Sequence, residues 1–102
     1  RSRGLGDVYK RQLYGAEAKY LVALQWYNAG NYASAEKEIL NFIDQSTPHA
    51  YWLARSFILL SDVYVAMDKK LDARQYLLSL QQNYQADDDI ASMINERLEK
   101  LK

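Results

Sequence analysis

Apolar residues recur along this chain at separations of three and four, the spacing that puts them on one face of an α-helix. Val22, Trp26 and Ala29 share such a face, as do Leu60, Tyr64 and Met67. Two breaks follow, "GN" at 30–31 and "DK" at 68–69, and beyond each a second stripe begins. The first runs through Ala35, Ile39, Phe42 and Ile43, the second through Ala73, Leu77 and Leu80. Gly30 can take the left-handed conformation that stops a helix. The pattern predicts two helix–turn–helix units, each an antiparallel pair.

The units are copies of each other. Shifting the chain by 38 residues sets Leu21 on Leu59, Val22 on Leu60, Ala23 on Ser61 and Trp26 on Tyr64, then Ala35 on Ala73, Ile39 on Leu77, Leu40 on Leu78 and Phe42 on Leu80. Size and polarity are kept at these pairs. Where antiparallel helices cross closely, a small residue lets a ring from the facing helix lie against the backbone. The expected partners are Trp26 with Ala35 and Tyr64 with Ala73.

A last segment, "ADDDIASMINERLEKLK", opens with acids and ends with lysines, as the helix dipole favours. Asp87 or Asp88 is the expected N-cap. Ile90, Met93, Ile94, Leu98 and Leu101 make its apolar stripe, and Ser92, Asn95, Glu96, Glu99 and Lys100 its water-facing side. A repeat array ends on such a polar-backed helix. The expected organisation is a single domain over 13–102, with one unit at 13–45, a second at 47–84 and a capping helix at 87–102. At the junction "STPHAYW" the next helix is expected to be entered through Ser46 or Thr47, with Pro48 in its first turn.

This arrangement resembles the tetratricopeptide repeat. The family pattern, in units of about 34 residues, is carried by Val22, Ala23, Trp26, Gly30, Tyr32, Ala35, Ile39 and Phe42, and again by Leu60, Ser61, Tyr64, Ala73, Leu77 and Leu80. The resemblance covers residues 16 to 84. Lys19 stands where the family usually has tryptophan, Asp68 where it has the turn glycine, and Lys70 where it has the turn aromatic, so the chain is similar to a divergent bacterial member. The resemblance implies an all-α fold of about five helices, helix–turn–helix repeats stacked as a right-handed α-solenoid. It also implies a concave surface lined by first helices: Glu17, Tyr20, Leu24, Tyr27 and Asn28 in one copy, Arg55, Ile58, Asp62 and Val65 in the other. Tyrosine, asparagine and arginine there suit an extended peptide, combining rigid area with hydrogen bonds. The lysine and asparagine set with which some members clamp a peptide C-terminus is absent.

Composition narrows the classes. At 102 residues the chain is one domain in size, and 49% hydrophobic with 25% charged residues is ordinary for a globular protein. One proline and four glycines leave few forced helix breaks, in keeping with an all-helical fold. With 13 basic and 13 acidic residues the chain is formally neutral, so nothing draws it to nucleic acid or an anionic membrane. Apolar runs such as "FILL" are far short of a bilayer span, so no direct membrane insertion is expected. The absence of cysteine excludes thiolate chemistry but leaves the compartment open.

Residues 1 to 12, "RSRGLGDVYKRQ", differ from the rest. Four basic residues against one acid give +3, so the remaining ninety carry −3. The segment resembles translated sequencing adapter and is expected to be non-native, the alternative being a native basic arm; in either case Val8, Tyr9 and Leu13 can extend the first helix. The native protein is then expected to begin upstream.

Candidate chemistry is sparse. His49, the single histidine, has no second histidine or cysteine to form a metal or triad set, and its place after Pro48 predicts a surface residue in a first helical turn. Asp87, Asp88 and Asp89 lack the alternation and glycine of a calcium loop. No phosphate-binding glycine loop or nucleophile elbow occurs. The nine tyrosines, in a neutral chain, are expected as core and groove rings rather than as a stacking platform for nucleic acid.

The expectation is a non-enzymatic interaction module, without cofactor or metal, holding a protein or peptide segment in the concave groove. The alternative is a structural cap of a longer array with no ligand of its own. Either way the first helix would expose its upstream face, a route to self-association.

Overall fold

A computed structural model describes the backbone of residues 5–44 and 49–102 and the side chains of residues 15–44 and 49–102. Among these, five helices occur: α1 (Leu5–Asn28), α2 (Tyr32–Asp44), α3 (Ala50–Ala66), α4 (Lys70–Asn83) and α5 (Ile90–Lys100). The expected all-α architecture of helix pairs closed by a last helix is present. The backbone of residues 5–12 is continuous with the rest of α1.

The two turns repeat bond for bond. The Gly30 amide donates to the Tyr27 carbonyl at 3.0 Å and the Asn31 amide to Trp26 at 2.9 Å. Thirty-eight residues on, Asp68 donates to Val65 at 3.0 Å and Lys69 to Tyr64 at 2.7 Å. This pairing of a short and a long return bond is the Schellman ending, which requires a residue in the left-handed region. Gly30 (φ 82°) and Asp68 (φ 62°) occupy it. Asn31 then opens α2, its side-chain oxygen accepting from the Ser34 amide at 3.3 Å.

Stacking follows the same repeat. α1 packs on α2 as α3 packs on α4, and α3 lies against α1 and α2 as α5 lies against α3 and α4. This is the contact scheme of a helical repeat. Ala23 and Ala35 are both buried where α1 crosses α2, and Ser61 and Ala73 take their places where α3 crosses α4. The Ser61 hydroxyl donates to the Ile58 carbonyl at 2.7 Å, so the buried polar group is satisfied. Tyr64 and Ala73, one of the two expected pairs, belong to the same buried cluster as Ala23 and Ala35, whereas Trp26 is exposed and is not among the side chains packed on that cluster.

The stripes expected on α2, α4 and α5 are the buried ones: Ala35, Ile39 and Phe42; Ala73, Leu77 and Leu80; Ile90 and Ile94, with Met93, Leu98 and Leu101 packed beside them. On α1 the expected stripe is corrected. Ala16, Tyr20 and Ala23 are buried, while Val22, Trp26 and Ala29 are exposed. The reason is neighbours: α1 touches only α2 and α3, whereas α3 touches four helices.

Two helix starts also differ. α3 as described runs from Ala50 with His49 in the N-cap position, and the turn expected through Ser46 or Thr47 with Pro48 lies outside the described residues. His49 is buried rather than on the surface. For α5 the N-cap position is Asp89, one residue later than expected, yet Asp88 does the capping chemistry, its Oδ1 accepting from the Ile90 amide at 2.9 Å. Among the described residues no helix is long and apolar enough to cross a membrane.

Candidate binding cleft

A cleft of about 470 Å³ opens where the end of α1, the second half of α3, the face of α4 and the last turn of α5 converge. Its walls are Tyr27 from α1, Ser61, Asp62 and Val65 from α3, Lys70 and Leu77 from α4, and Arg97, Lys100 and Leu101 from the α5 end. Pockets of roughly 300–1,000 Å³ take small ligands or a few side chains of a peptide. Three of the nine expected groove residues, Tyr27, Asp62 and Val65, meet here.

Asp62 is not a free carboxylate. Arg97 Nε donates to its Oδ1 at 2.9 Å and Nη2 to its Oδ2 at 3.0 Å, a bidentate pair with each side chain about a quarter exposed (24% and 23%). Arg97 Nη1 also reaches the Met93 carbonyl at 3.3 Å, so the guanidinium is held on both edges. The pair ties α5 to α3 across the floor of the cleft. Lys70 and Lys100 form no ion pair among the described residues, so the cleft rim carries surplus positive charge.

Tyr27 supplies the aromatic wall, its ring 5.6 Å from that of Tyr32 and tilted by 55°. Burial, then the Asp62 charge, push its phenol above the ordinary value, with Arg97 opposing. The hydroxyl therefore keeps its proton at neutral pH and is a donor that makes no hydrogen bond among the described residues. The apolar wall is Val65 and Leu101, with Leu77 fully buried beneath it. Chemically the cleft offers an apolar slot, one neutral donor and two unpaired ammonium groups.

The other expected groove residues lie elsewhere or are spent. Tyr20 and Ile58 are buried and present no surface. Arg55 is enclosed rather than open: Nη1 donates to the Tyr51 hydroxyl at 2.8 Å and Nη2 to the Tyr20 hydroxyl at 3.1 Å, with the Tyr20, Tyr51 and Trp52 rings 5.1, 5.7 and 5.8 Å from its carbon. Tyr51 passes the contact on, donating to Asp89 at 2.9 Å. This cluster joins α1, α3 and the start of α5. Glu17 and Leu24 are half-buried and Asn28 is exposed, and none of the three lines the cleft.

Lys70, Arg97 and Lys100 were not legible as site residues. Lys100 fits a water-facing pattern, and nothing in the spacing of Arg97 points to Asp62, 35 residues away. The available signal was the excess of basic residues in the last turn of α5. Among the described residues no group of three or more His, Cys, Asp or Glu side chains is placed to hold a metal ion. No family model, no curated protein and no solved structure matches this chain.

Proposed function

We propose that the chain is a non-enzymatic interaction module of tetratricopeptide-like repeats that holds a short protein segment in the cleft between α1, α3, α4 and α5. The observation that carries this is the cleft itself: a preformed slot with an apolar wall, a neutral tyrosine donor and a cationic rim. Those groups select a segment with an apolar side chain flanked by an acidic one, the apolar group against Val65 and Leu101 and the carboxylate toward Lys70 and Lys100. Tyr27 is the expected anchor, because tyrosine adds rigid area and a hydrogen bond at small entropic cost.

Peptides selected from a random display library on the wild-type chain test this. Tyr27→Ala is expected to weaken the selected peptides at least roughly tenfold, about 1.4 kcal/mol, while helical circular dichroism stays unchanged. Equal binding by wild type and variant contradicts the assignment.

A structural role for the same surface has one specific observation in its favour. Tyr20, Arg55, Ile58 and Asp62 are all engaged within the fold. On that reading the residues of α5 serve only to close the stack, and no cleft-directed peptide emerges from the library.

A further inference from the structure

Charge is not spread evenly over this chain. Residues 13–102 carry a formal −3, yet the side chains that line the cleft carry +2, with Lys70, Arg97 and Lys100 against one acid, Asp62. Taking that +2 from −3 leaves −5 for the rest of the stretch. Arg97 and Asp62 cancel each other through their bidentate contact, so the surplus is the two ammonium groups of Lys70 and Lys100. The acids nearby on α5 do not offset it: Glu99 pairs with Lys102 at 2.9 Å, Glu96 lies 3.6 Å from Arg97, and neither lines the cleft.

We infer that the anionic group held in this cleft is a dianion, a phosphorylated serine or threonine beside the apolar side chain of the bound segment. The inference rests on the reading of the cleft as a site for a protein segment. A phosphomonoester carries about two negative charges at pH 7 and three strong acceptor oxygens. The charge matches the two lysines, where a single carboxylate answers only one. The oxygens match the donors, because the cleft has three groups in no other hydrogen bond or ion pair among the described residues: two ammonium groups and the Tyr27 hydroxyl. A carboxylate, with two oxygens, leaves one of the three unmet.

The other lining groups suit a dianion too. Burial and the Asp62 charge hold the Tyr27 phenol above its ordinary value, so its hydroxyl donates to an anion instead of repelling it. Asp62 is the one lining carboxylate, and two charge-assisted bonds from Arg97 neutralise it. Two separate acids on the segment would also balance the lysines. They would do so at a further cost in chain ordering.

Four versions of a library-selected peptide test this, with serine, glutamate, two adjacent glutamates or phosphoserine beside the apolar residue. Each is titrated onto the full chain by fluorescence anisotropy, and amide shifts show where it lands. At about pH 7.5 the phosphoserine version is expected to bind at least roughly tenfold tighter than the glutamate version. That advantage is expected to shrink at about pH 5, below the second ionisation of the phosphate. No histidine lines the cleft to give the same trend, its charged and titratable side chains being Tyr27, Asp62, Lys70, Arg97 and Lys100. Lys70→Gln combined with Lys100→Gln is expected to abolish the advantage with unchanged circular dichroism, while Lys37→Gln, at an exposed position on α2, leaves it intact. Equal affinity of the glutamate and phosphoserine versions in the cleft, an equally tight two-glutamate version, an advantage untouched by pH or by the paired lysine substitutions, or displacement by millimolar inorganic phosphate overturns the inference alone. Peptides that perturb no cleft amide overturn the cleft reading, and the inference with it.

Discussion

Gly30 and Asp68 hold the same place in two copies of one turn, with the same return hydrogen bonds and a left-handed backbone. Their side chains make the cost different. An L-residue with a Cβ loses roughly 1–2 kcal/mol in that region, a penalty that Asp softens by local hydrogen bonding and glycine does not carry. The two turns therefore answer substitution with opposite signs. Gly30→Ala is expected to destabilise by about 1 kcal/mol, and Asp68→Gly to stabilise by up to about 1 kcal/mol. Thermal melts resolve both, since a domain of this size shifts by roughly 4 °C or more per kcal/mol. Equal signs would mean that the turns are not equivalent. At this scale much was legible: a glycine at 30 and a departure from glycine at 68 are plain in the sequence. The capping of α5 was only partly so, because three adjacent aspartates offer the same chemistry and only geometry separates the one that reaches the Ile90 amide.

At the scale of elements, what joins one helix pair to the next is a mixture of apolar packing and tyrosine hydroxyls. Tyr64 of α3 donates to Glu36 of α2 at 2.8 Å, and burial, followed by the Glu36 carboxylate, raises its phenol above the ordinary 10.0. Tyr84 is pushed up to about 12, mainly by burial and its bond to Asp88. A folded-state value above the unfolded one means that the folded chain holds the proton more tightly. That contribution is complete below pH 10 and is lost as pH rises through the folded values. Urea midpoints are thus expected to fall between pH 8 and pH 11. Tyr64→Phe should be less stable at pH 8, by about 1 to 2 kcal/mol for a lost bond to a charged acceptor, and should show a smaller drop on going to pH 11. A variant with the full wild-type pH dependence would remove Tyr64 from the explanation.

The same scale explains what periodicity could and could not reveal. On α2, α4 and α5 one apolar stripe stands against a polar remainder, and that stripe is the core. α1 carries two candidate faces, Ala16–Tyr20–Ala23 and Val22–Trp26–Ala29, and spacing alone does not choose between them. The choice lies with the neighbours: α2 and α3 cover the first, and no described helix covers the second. Tyr20 and Ile58 fail as groove residues for a related reason. Their register places them inward, but the depth at which Trp52 stacks on Tyr20, 5.4 Å between ring centres, depends on how α3 settles on α1.

For the whole molecule, the described residues have a radius of gyration of 14.6 Å and extents of 56 × 31 × 19 Å. A compact domain of this length would have a radius of about 13 Å. The elongation is that of layers added in one direction, with α1 reaching past the helices it packs on. The last layer, α5, turns a stack into a cleft: without Arg97, Lys100 and Leu101 the surface of α3 and α4 would be an open slope. The site is thus a property of assembly, in which Tyr27 and Leu101 meet only because three layers bring them together. Tyr27, Asp62 and Val65 were expected on this surface only through the resemblance to the repeat family, and nothing in the sequence placed the α5 residues that meet them there.

The account's central claim is that this cleft, rather than any other face, receives a protein segment. Amide chemical-shift mapping with a library-selected peptide tests it most directly. The perturbed residues are expected to cluster at Tyr27, Asp62, Val65, Lys70, Arg97 and Lys100, with α2 and the outer side of α4 unmoved. Perturbation centred on the exposed side of α4 around Leu71 and Gln75, or spread evenly over the five helices, would contradict it.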